Sequence, residues 1–156
     1  MKLKTLIYLA AAGLLASCAS ADQKPVINPI QETVALAVQQ IGFQTELIEQ
    51  SGKIMIPRTI KNDKIHYVPI DDWTSGFFAG TMWYMYDLTG DEKWKTLGVK
   101  YTEYLDSAKY LTWHHDVGFM INCSYGNALR VTGDTAYKSV MMEAARSLAT
   151  RYRPVP

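Results

Sequence analysis

The chain of 156 residues has few cysteines, only two, and almost no excess charge, with a formal net charge of +1. The only charges in residues 1–17 are Lys2 and Lys4, so the remainder is close to neutral. This balance lacks the basic surface of nucleic-acid-binding proteins, and we predict no nucleic-acid partner. A content of 48% hydrophobic and 20% charged residues describes one globular domain. Ten tyrosines and four tryptophans exceed the usual need of a core and suit sugars or other flat ligands.

The N-terminus predicts a lipoprotein signal peptide over residues 1–17. Two lysines precede the apolar run "LIYLAAAGLLA" at 6–16, which is shorter than the roughly 20 residues that a membrane span needs. "LASC" at 15–18 resembles the lipobox of bacterial lipoproteins, where cleavage precedes a lipidated cysteine. We therefore expect Cys18 to carry a lipid anchor, with residues 18–28 as a tether and no disulfide for Cys123. Ala19 favours the outer membrane, and a secretory peptide with a chance cysteine is the alternative.

The rest of the chain predicts about five helices of two alternating kinds. Two are apolar nearly all round, at 75–89 and 117–132, which predicts burial on all sides. Two are amphipathic, at 91–108 and 134–151, and a further helix begins near Pro29.

The alternation repeats in the sequence. "LTGDEKWK" at 88–95 matches "VTGDTAYK" at 131–138, 43 residues later. Gly90 and Gly133 suit the left-handed end of one helix, and Asp91 and Asp134 suit the N-terminal cap of the next. Such pairs build an α/α toroid or a solenoid. In a toroid the loops entering the buried helices converge on one mouth, here "DDWTSG" at 71–76 and "TWHHDVG" at 112–118.

Those two loops contain the candidate site residues. Trp73 either faces the mouth or plugs the end of the helix below it. Asp116 is either a catalytic carboxylate or the cap of the helix that begins near Val117. His114 and His115 have no further histidine or cysteine ligand at useful spacing, so we predict no metal site and no cofactor.

Other features of the loops support no chemistry. Asp71 and Asp72 suit capping or solvation. The connection at 52–74 is long for a helix connection, so we interpret it as a functional loop. No serine stands in the context of a catalytic triad.

The motifs "DDWTSGFFAGTMWYMYDLTGDEKW" and "HHDVGFMINCSYGNALRVTGD" resemble the unsaturated glucuronyl hydrolases of glycoside hydrolase family 88, especially those of gut Bacteroidetes. The resemblance runs from about Pro29 to the last residue. It implies an all-α fold, an (α/α)6 barrel that is incomplete here, with residues 29–156 as the N-terminal part of the domain. It implies removal of the 4,5-unsaturated uronic acid from lyase-generated oligosaccharides, by protonation of C4 and addition of water at C5.

The resemblance also implies roles for individual residues. Asp116 becomes catalytic, Trp73 and His115 bind the substrate, and a second catalytic aspartate is expected beyond Pro156. We therefore expect residues 1–156 alone to be weakly active or inactive. The alternatives are a glycan-binding outer-membrane lipoprotein without catalysis and an unsaturated rhamnogalacturonyl hydrolase.

Overall fold

The computed structural model describes residues 28–154, and the predicted signal peptide and Cys18 lie outside this range. From Ala37 onward the described chain forms one compact unit, and residues 28–36 belong to a separate one. Among the described residues, no helix combines the length and apolarity that a membrane span requires. The described elements are α1 (Pro29–Gln50), β1 (Ile56–Lys61), β2 (Lys64–Val68), α2 (Ser75–Thr89), α3 (Glu92–Tyr104), a 3-10 helix (Asp106–Tyr110), α4 (Val117–Ile121), a π-helix (Asn122–Gly126), α5 (Asn127–Thr132) and α6 (Ala136–Ala149).

The predicted turns between paired helices are confirmed. Gly90 and Gly133 both take the left-handed conformation, with φ of 68° and 71°, and each ends a helix. The backbone N–H of Lys93 donates to the Asp91 carboxylate at 2.9 Å, and that of Ala136 donates to Asp134 at 2.9 Å. The sequence repeat is therefore also a repeat of hydrogen bonds. In both turns an aspartate accepts a backbone N–H from the first turn of the next helix, which has no partner within the helix.

The core forms where α2 packs against α3. Trp83 is fully buried, and its indole N–H donates to the Thr102 hydroxyl at 2.9 Å. Gly98 on α3 provides the space, since a Cβ there would lie 2.9 Å from the Trp83 ring. The neighbouring apolar cluster also includes Ile48 of α1 and Ile56 of β1.

The prediction that α2 is buried on all sides is wrong for one face. Phe77, Tyr84 and Leu88 are 39%, 53% and 59% exposed. These residues follow one side of the helix, and no described element covers them. The apolar composition of α2 therefore exceeds what the described residues bury.

The 52–74 connection is a β-hairpin, where the sequence analysis expected a loop. β1 and β2 pair antiparallel, from Ile56 opposite Val68 to Lys61 opposite Lys64. Asn62 and Asp63 form the two-residue turn with φ of 49° and 59°. Such turns require a positive φ, which Asn and Asp tolerate. The Asn–Asp pair between two β-branched runs was the signal for this hairpin.

The predicted helix at 117–132 is interrupted. It consists of α4, the π-helix and α5 in succession. Gly76 and Gly118 are each the second residue of their helices and lie 42 residues apart, whereas Gly90 and Gly133 end them 43 residues apart. The second copy therefore contains one extra residue, and the wider π turn accommodates it.

Candidate active site

Two glycines bring the starts of the buried helices together. A Cβ on Gly76 would lie 2.1 Å from the carbonyl oxygen of Met120, and one on Gly80 would lie 2.7 Å from that of Cys123. α2 therefore contacts the backbone of the 117–126 segment directly. The turns that precede the two helices consequently lie side by side, as the toroid interpretation predicted.

An exposed aromatic cluster joins the two turns. Trp73 contacts Phe77 and Phe119 edge to face, with ring centroids 5.6 Å and 6.1 Å apart, and Phe77 lies 6.4 Å from Phe119. The three residues are 39–51% exposed. Trp73 is therefore no buried plug at the end of α2. It offers an apolar surface at the mouth. Phe119, which it contacts, lies about one helical turn after Asp116 in the sequence.

The hairpin supports Trp73 from one side. The Arg58 guanidinium lies 5.8 Å from the centre of the Trp73 ring and pairs with Asp72 at 2.8 Å. The second oxygen of Asp72 accepts from the backbone N–H of Thr74 at 2.9 Å and from its hydroxyl. Burial opposes the charged form, yet the Thr74 bonds and Arg58 hold the pKa of Asp72 below its usual value. Asp72 therefore stabilises the turn before α2.

Asp116 precedes α4 without capping it. Its side chain makes no capping hydrogen bond, although its carbonyl accepts from the backbone N–H of Phe119 at 2.9 Å. One carboxylate oxygen lies 3.1 Å from Nε2 of His115, and the Asp116 side chain is 21% exposed. The capping alternative is therefore wrong in this structure, and the carboxylate remains available at the mouth beside the imidazole.

His114 holds the backbone of this turn. Its Nδ1 accepts the backbone N–H of Asp116 at 3.0 Å, so Nδ1 carries no proton in this arrangement. Its ring stacks on His115 with centroids 5.5 Å apart, and the Trp113 ring lies 5.1 Å from it. The sequence analysis considered His114 only as a metal ligand and missed this role, because the hydrogen bond depends on the local backbone conformation.

The turn also brings three possible metal ligands together, two imidazoles and one carboxylate. His114, His115 and Asp116 each offer one ligand atom, and these atoms lie within 4.8 Å of one another. Nδ1 of His114 already accepts the backbone N–H of Asp116, and the Asp116 carboxylate already contacts Nε2 of His115. Within residues 28–154 no fourth histidine, cysteine or carboxylate joins this group, and we assign no metal to it.

A groove runs along α2 from the aromatic cluster. Its volume is about 440 Å3. At its far end Arg130 pairs with Asp87 at 2.8 Å and lies 5.2 Å from the Tyr84 ring. Asn122 and Asn127 line the groove from the side of the π-helix. The sequence analysis missed this surface, which depends on the crossing of two helices.

No protein-family model matches the chain. The unsaturated glucuronyl hydrolase of Formosa agariphila is 42% identical over 126 residues, which cover 73% of this chain and 32% of that protein. A solved unsaturated glucuronyl hydrolase specific for heparin is 36% identical with a TM-score of 0.68, over 79% of this chain and 33% of that one. The chain belongs to the unsaturated glucuronyl hydrolase family. The predicted resemblance is therefore confirmed.

The family relationship extends to the fold. The unsaturated glucuronyl hydrolase of Streptococcus agalactiae superposes with a TM-score of 0.71 at 23% identity, over 80% of this chain and 32% of that one. Unsaturated glucuronyl hydrolases are (α/α)6 barrels, and the described helices match part of such a barrel. The predicted fold class is confirmed, with the hairpin as an addition. The chain spans about a third of the length of these relatives.

Proposed function

We propose that Trp73, His115 and Asp116 form part of an active site that removes a 4,5-unsaturated uronic acid from oligosaccharides. The observation that carries the proposal is the Asp116 carboxylate, which leaves the helix end uncapped and lies 3.1 Å from His115. Trp73 and the neighbouring rings offer the apolar surface on which a sugar ring stacks. The name of the 42% identical relative agrees with this chemistry.

The reaction is a hydration of the enol-ether double bond. A carboxylic acid transfers its proton to C4, and a water molecule adds its oxygen at C5 and gives up a proton to a carboxylate. The resulting hemiketal opens, which breaks the bond to the neighbouring sugar. In this proposal Asp116 contacts the reacting part of the ring, and His115 fixes the orientation of its carboxylate. A second carboxylic acid is the principal proton donor and base in this proposal.

The test replaces one oxygen of the carboxylate. Because the chain spans about a third of its relatives, the test uses the Formosa relative with its matching segment replaced by residues 29–154 of this chain, called the exchanged protein. Loss of the ultraviolet absorbance of an unsaturated disaccharide measures its turnover. Asp116→Asn should lower turnover roughly 10²–10⁴-fold without changing the helical circular dichroism.

The control is Asp63→Asn, the same chemical change in the hairpin turn, where Asn also tolerates the φ of 59°. This variant should retain turnover. Near-normal turnover of Asp116→Asn would refute the catalytic assignment.

A second candidate function is glycan binding without cleavage. The exposed rings of Trp73, Phe77 and Phe119 favour it, since such rings bind sugars without any catalytic group. A binder retains the absorbance of the unsaturated sugar, whereas a hydrolase removes it. An unsaturated rhamnogalacturonyl hydrolase would instead prefer pectin-derived over glycosaminoglycan-derived disaccharides in the same assay.

We also propose that Cys18 carries the lipid anchor of an outer-membrane lipoprotein. The basic start, the short apolar run and "LASC" support this proposal. Cells given a labelled fatty acid should incorporate it into the wild-type chain and not into Cys18→Ser. Equal incorporation would show that the anchor is absent or elsewhere.

A further inference from the structure

Two backbone carbonyls in the connection between α3 and α4 accept no backbone N–H from any described residue. They belong to Lys109, in the 3-10 helix, and to Trp113, three residues before Asp116. Each carbonyl accepts instead from a side chain near the end of α6. The Ser147 hydroxyl donates to the Lys109 carbonyl at 2.6 Å, and Arg151 donates through Nη1 to the Trp113 carbonyl. Both carbonyls are therefore satisfied from outside the connection.

The two donors and the two acceptors have the same spacing. Ser147 and Arg151 are four residues apart, and so are Lys109 and Trp113. Ser147 lies in the last turn of α6, and the backbone N–H of Arg151 donates to the carbonyl of Leu148 at 3.1 Å just beyond that helix. Residues four apart lie on the same side of a helical turn. The end of α6 therefore binds the connection at two successive points.

α6 is itself fixed by the core beneath α4. Ala144 is 5% exposed and belongs to an apolar cluster with Val117 and Met120 of α4. Ser147, one turn later on α6, is 6% exposed. A hydrogen bond at such a position is electrostatically stronger than one in water, because the surroundings are less polar. The bonds from α6 therefore fix the connection relative to the helix that follows Asp116.

The bond to Trp113 acts close to the candidate catalytic group. The Trp113 carbonyl belongs to the same rigid peptide plane as the nitrogen of His114, so a donor on that oxygen sets the orientation of the plane. His114 in turn accepts the backbone N–H of Asp116 at 3.0 Å, and the Asp116 carboxylate contacts His115 at 3.1 Å. The direction of the carboxylate therefore depends on a side chain beyond the end of α6.

We propose that Ser147 and Arg151 are positioning residues for Asp116. By binding the carbonyls of Lys109 and Trp113, they keep the turn in the arrangement that directs the Asp116 carboxylate to the mouth. The proposal rests on the proposed function for the chemistry of Asp116. The hydrogen bonds themselves form without substrate, so they can be tested apart from turnover.

The first test follows hydrogen exchange of the Asp116 amide in the 156-residue chain by nuclear magnetic resonance. Arg151→Met removes the donor and keeps a side chain of similar length, whereas Arg151→Lys keeps a donor. Exchange should become about tenfold faster in Arg151→Met, the factor that one lost hydrogen bond produces, and stay near the wild-type rate in Arg151→Lys.

Ser147→Ala should also accelerate exchange of the Asp116 amide. Its matched control is Ser139→Ala, the same chemical change on α6, where the hydroxyl donates only to the Ala136 carbonyl of its own helix at 2.8 Å. The control should leave the rate unchanged. A wild-type exchange rate in either Ser147→Ala or Arg151→Met would overturn the proposal.

The second test measures kcat and KM separately in the exchanged protein. Arg151→Met should lower kcat about tenfold at nearly constant KM, because a displaced catalytic group affects the chemical step more than binding. Arg151→Lys should recover most of the loss. The control is Arg146→Gln, which removes an exposed arginine of α6 that pairs with Glu143 at 3.0 Å, and it should leave both constants unchanged.

Two kinetic results would overturn the proposal. A higher KM at unchanged kcat in Arg151→Met would show that Arg151 binds the substrate directly. Equal losses of kcat in Arg151→Met and Arg151→Lys would show that the hydrogen bond does not matter. Near-normal turnover of Asp116→Asn would instead overturn the proposed function, and the exchange rates alone would then decide whether Ser147 and Arg151 fix the turn.

Discussion

At the residue scale, the candidate site depends on the hydrogen bond that fixes the backbone turn from His114 to Asp116. The N–H of Asp116 donates to the ring of His114, two residues earlier, at 3.0 Å. An asparagine or aspartate side chain makes the same bond in an Asx turn, so His114 takes the place of such a residue. The Asp116 carboxylate is then directed toward His115 and away from the helix end.

This arrangement predicts a difference between two substitutions of His114. His114→Asn keeps an acceptor within reach of the Asp116 N–H, whereas His114→Leu removes it. In the exchanged protein, His114→Leu should lower kcat by up to about 100-fold, because a displaced catalytic group loses alignment, while His114→Asn should retain most of it.

Nitrogen-15 spectra of the imidazole provide a second readout for His114. They should show the neutral ring protonated at Nε2 in the wild-type chain. Equal losses of kcat in His114→Asn and His114→Leu would instead show that packing of the ring on Trp113 and His115 matters, and not the hydrogen bond.

Sequence patterns identified Trp73 and Asp116 but left their roles open. An aspartate before a helix is equally suited to capping and to catalysis, because spacing along the chain does not set the direction of its side chain. The missing cap bond and the 3.1 Å contact with His115 are properties of the folded turn.

At the element scale, the mouth is formed by the close approach of α2 to the 117–126 segment. Gly76 and Gly80, four residues apart on one face of α2, allow the two backbones to touch. The glycine of the "WTSGF" motif is therefore required by packing. The same close approach places Trp73 beside Phe119.

Gly76→Ala should therefore destabilise the chain by at least about 1–3 kcal/mol, since its Cβ would overlap the carbonyl of Met120. Thermal unfolding followed by circular dichroism measures the change. The control is Gly42→Ala in α1, whose Cβ would meet only the Lys93 amine at 3.8 Å. This control should be neutral or slightly stabilising, because alanine favours a helix. Equal melting temperatures for Gly76→Ala and wild type would contradict the close approach.

Periodicity predicted the helices well and the interruptions poorly. α2 has the predicted bounds, Ser75–Thr89, because a glycine and an aspartate mark its end. The π-helix was missed because the apolar pattern of residues 117–132 looks the same with or without one extra residue. The hairpin was missed because the length of the 52–74 connection was taken as the sign of a functional loop. The Asn62–Asp63 pair is nevertheless a turn signal.

At the scale of the whole molecule, the described residues leave apolar surface uncovered. Phe77, Tyr84 and Leu88 of α2 and Phe119 of α4 are each at least 39% exposed. Exposed apolar area forgoes roughly 25 cal/mol per Å2 of stabilisation, and total stabilities are only about 5–15 kcal/mol. This uncovered face reduces the free energy of unfolding available to the described residues. That residues 1–156 alone are weakly active or inactive stays a prediction.

That expectation is checked by assaying the 156-residue chain beside the exchanged protein. The isolated chain should bleach an unsaturated disaccharide slowly or not at all at equal molar concentration. Its far-ultraviolet circular dichroism should still show helices, since the α2–α3 core is buried within the chain. Turnover equal to that of the exchanged protein would contradict the expectation and show that these residues suffice.

The most direct test of the central claim is a crystal structure of the Asp116→Asn variant with an unsaturated disaccharide bound. The claim is that the turns entering the two buried helices place an aromatic surface and a carboxylate around one sugar. We expect the unsaturated ring to contact Trp73, with its double bond beside the side chain at position 116. A disaccharide bound only in the groove between Tyr84 and Arg130, with residue 116 out of contact, would contradict the account.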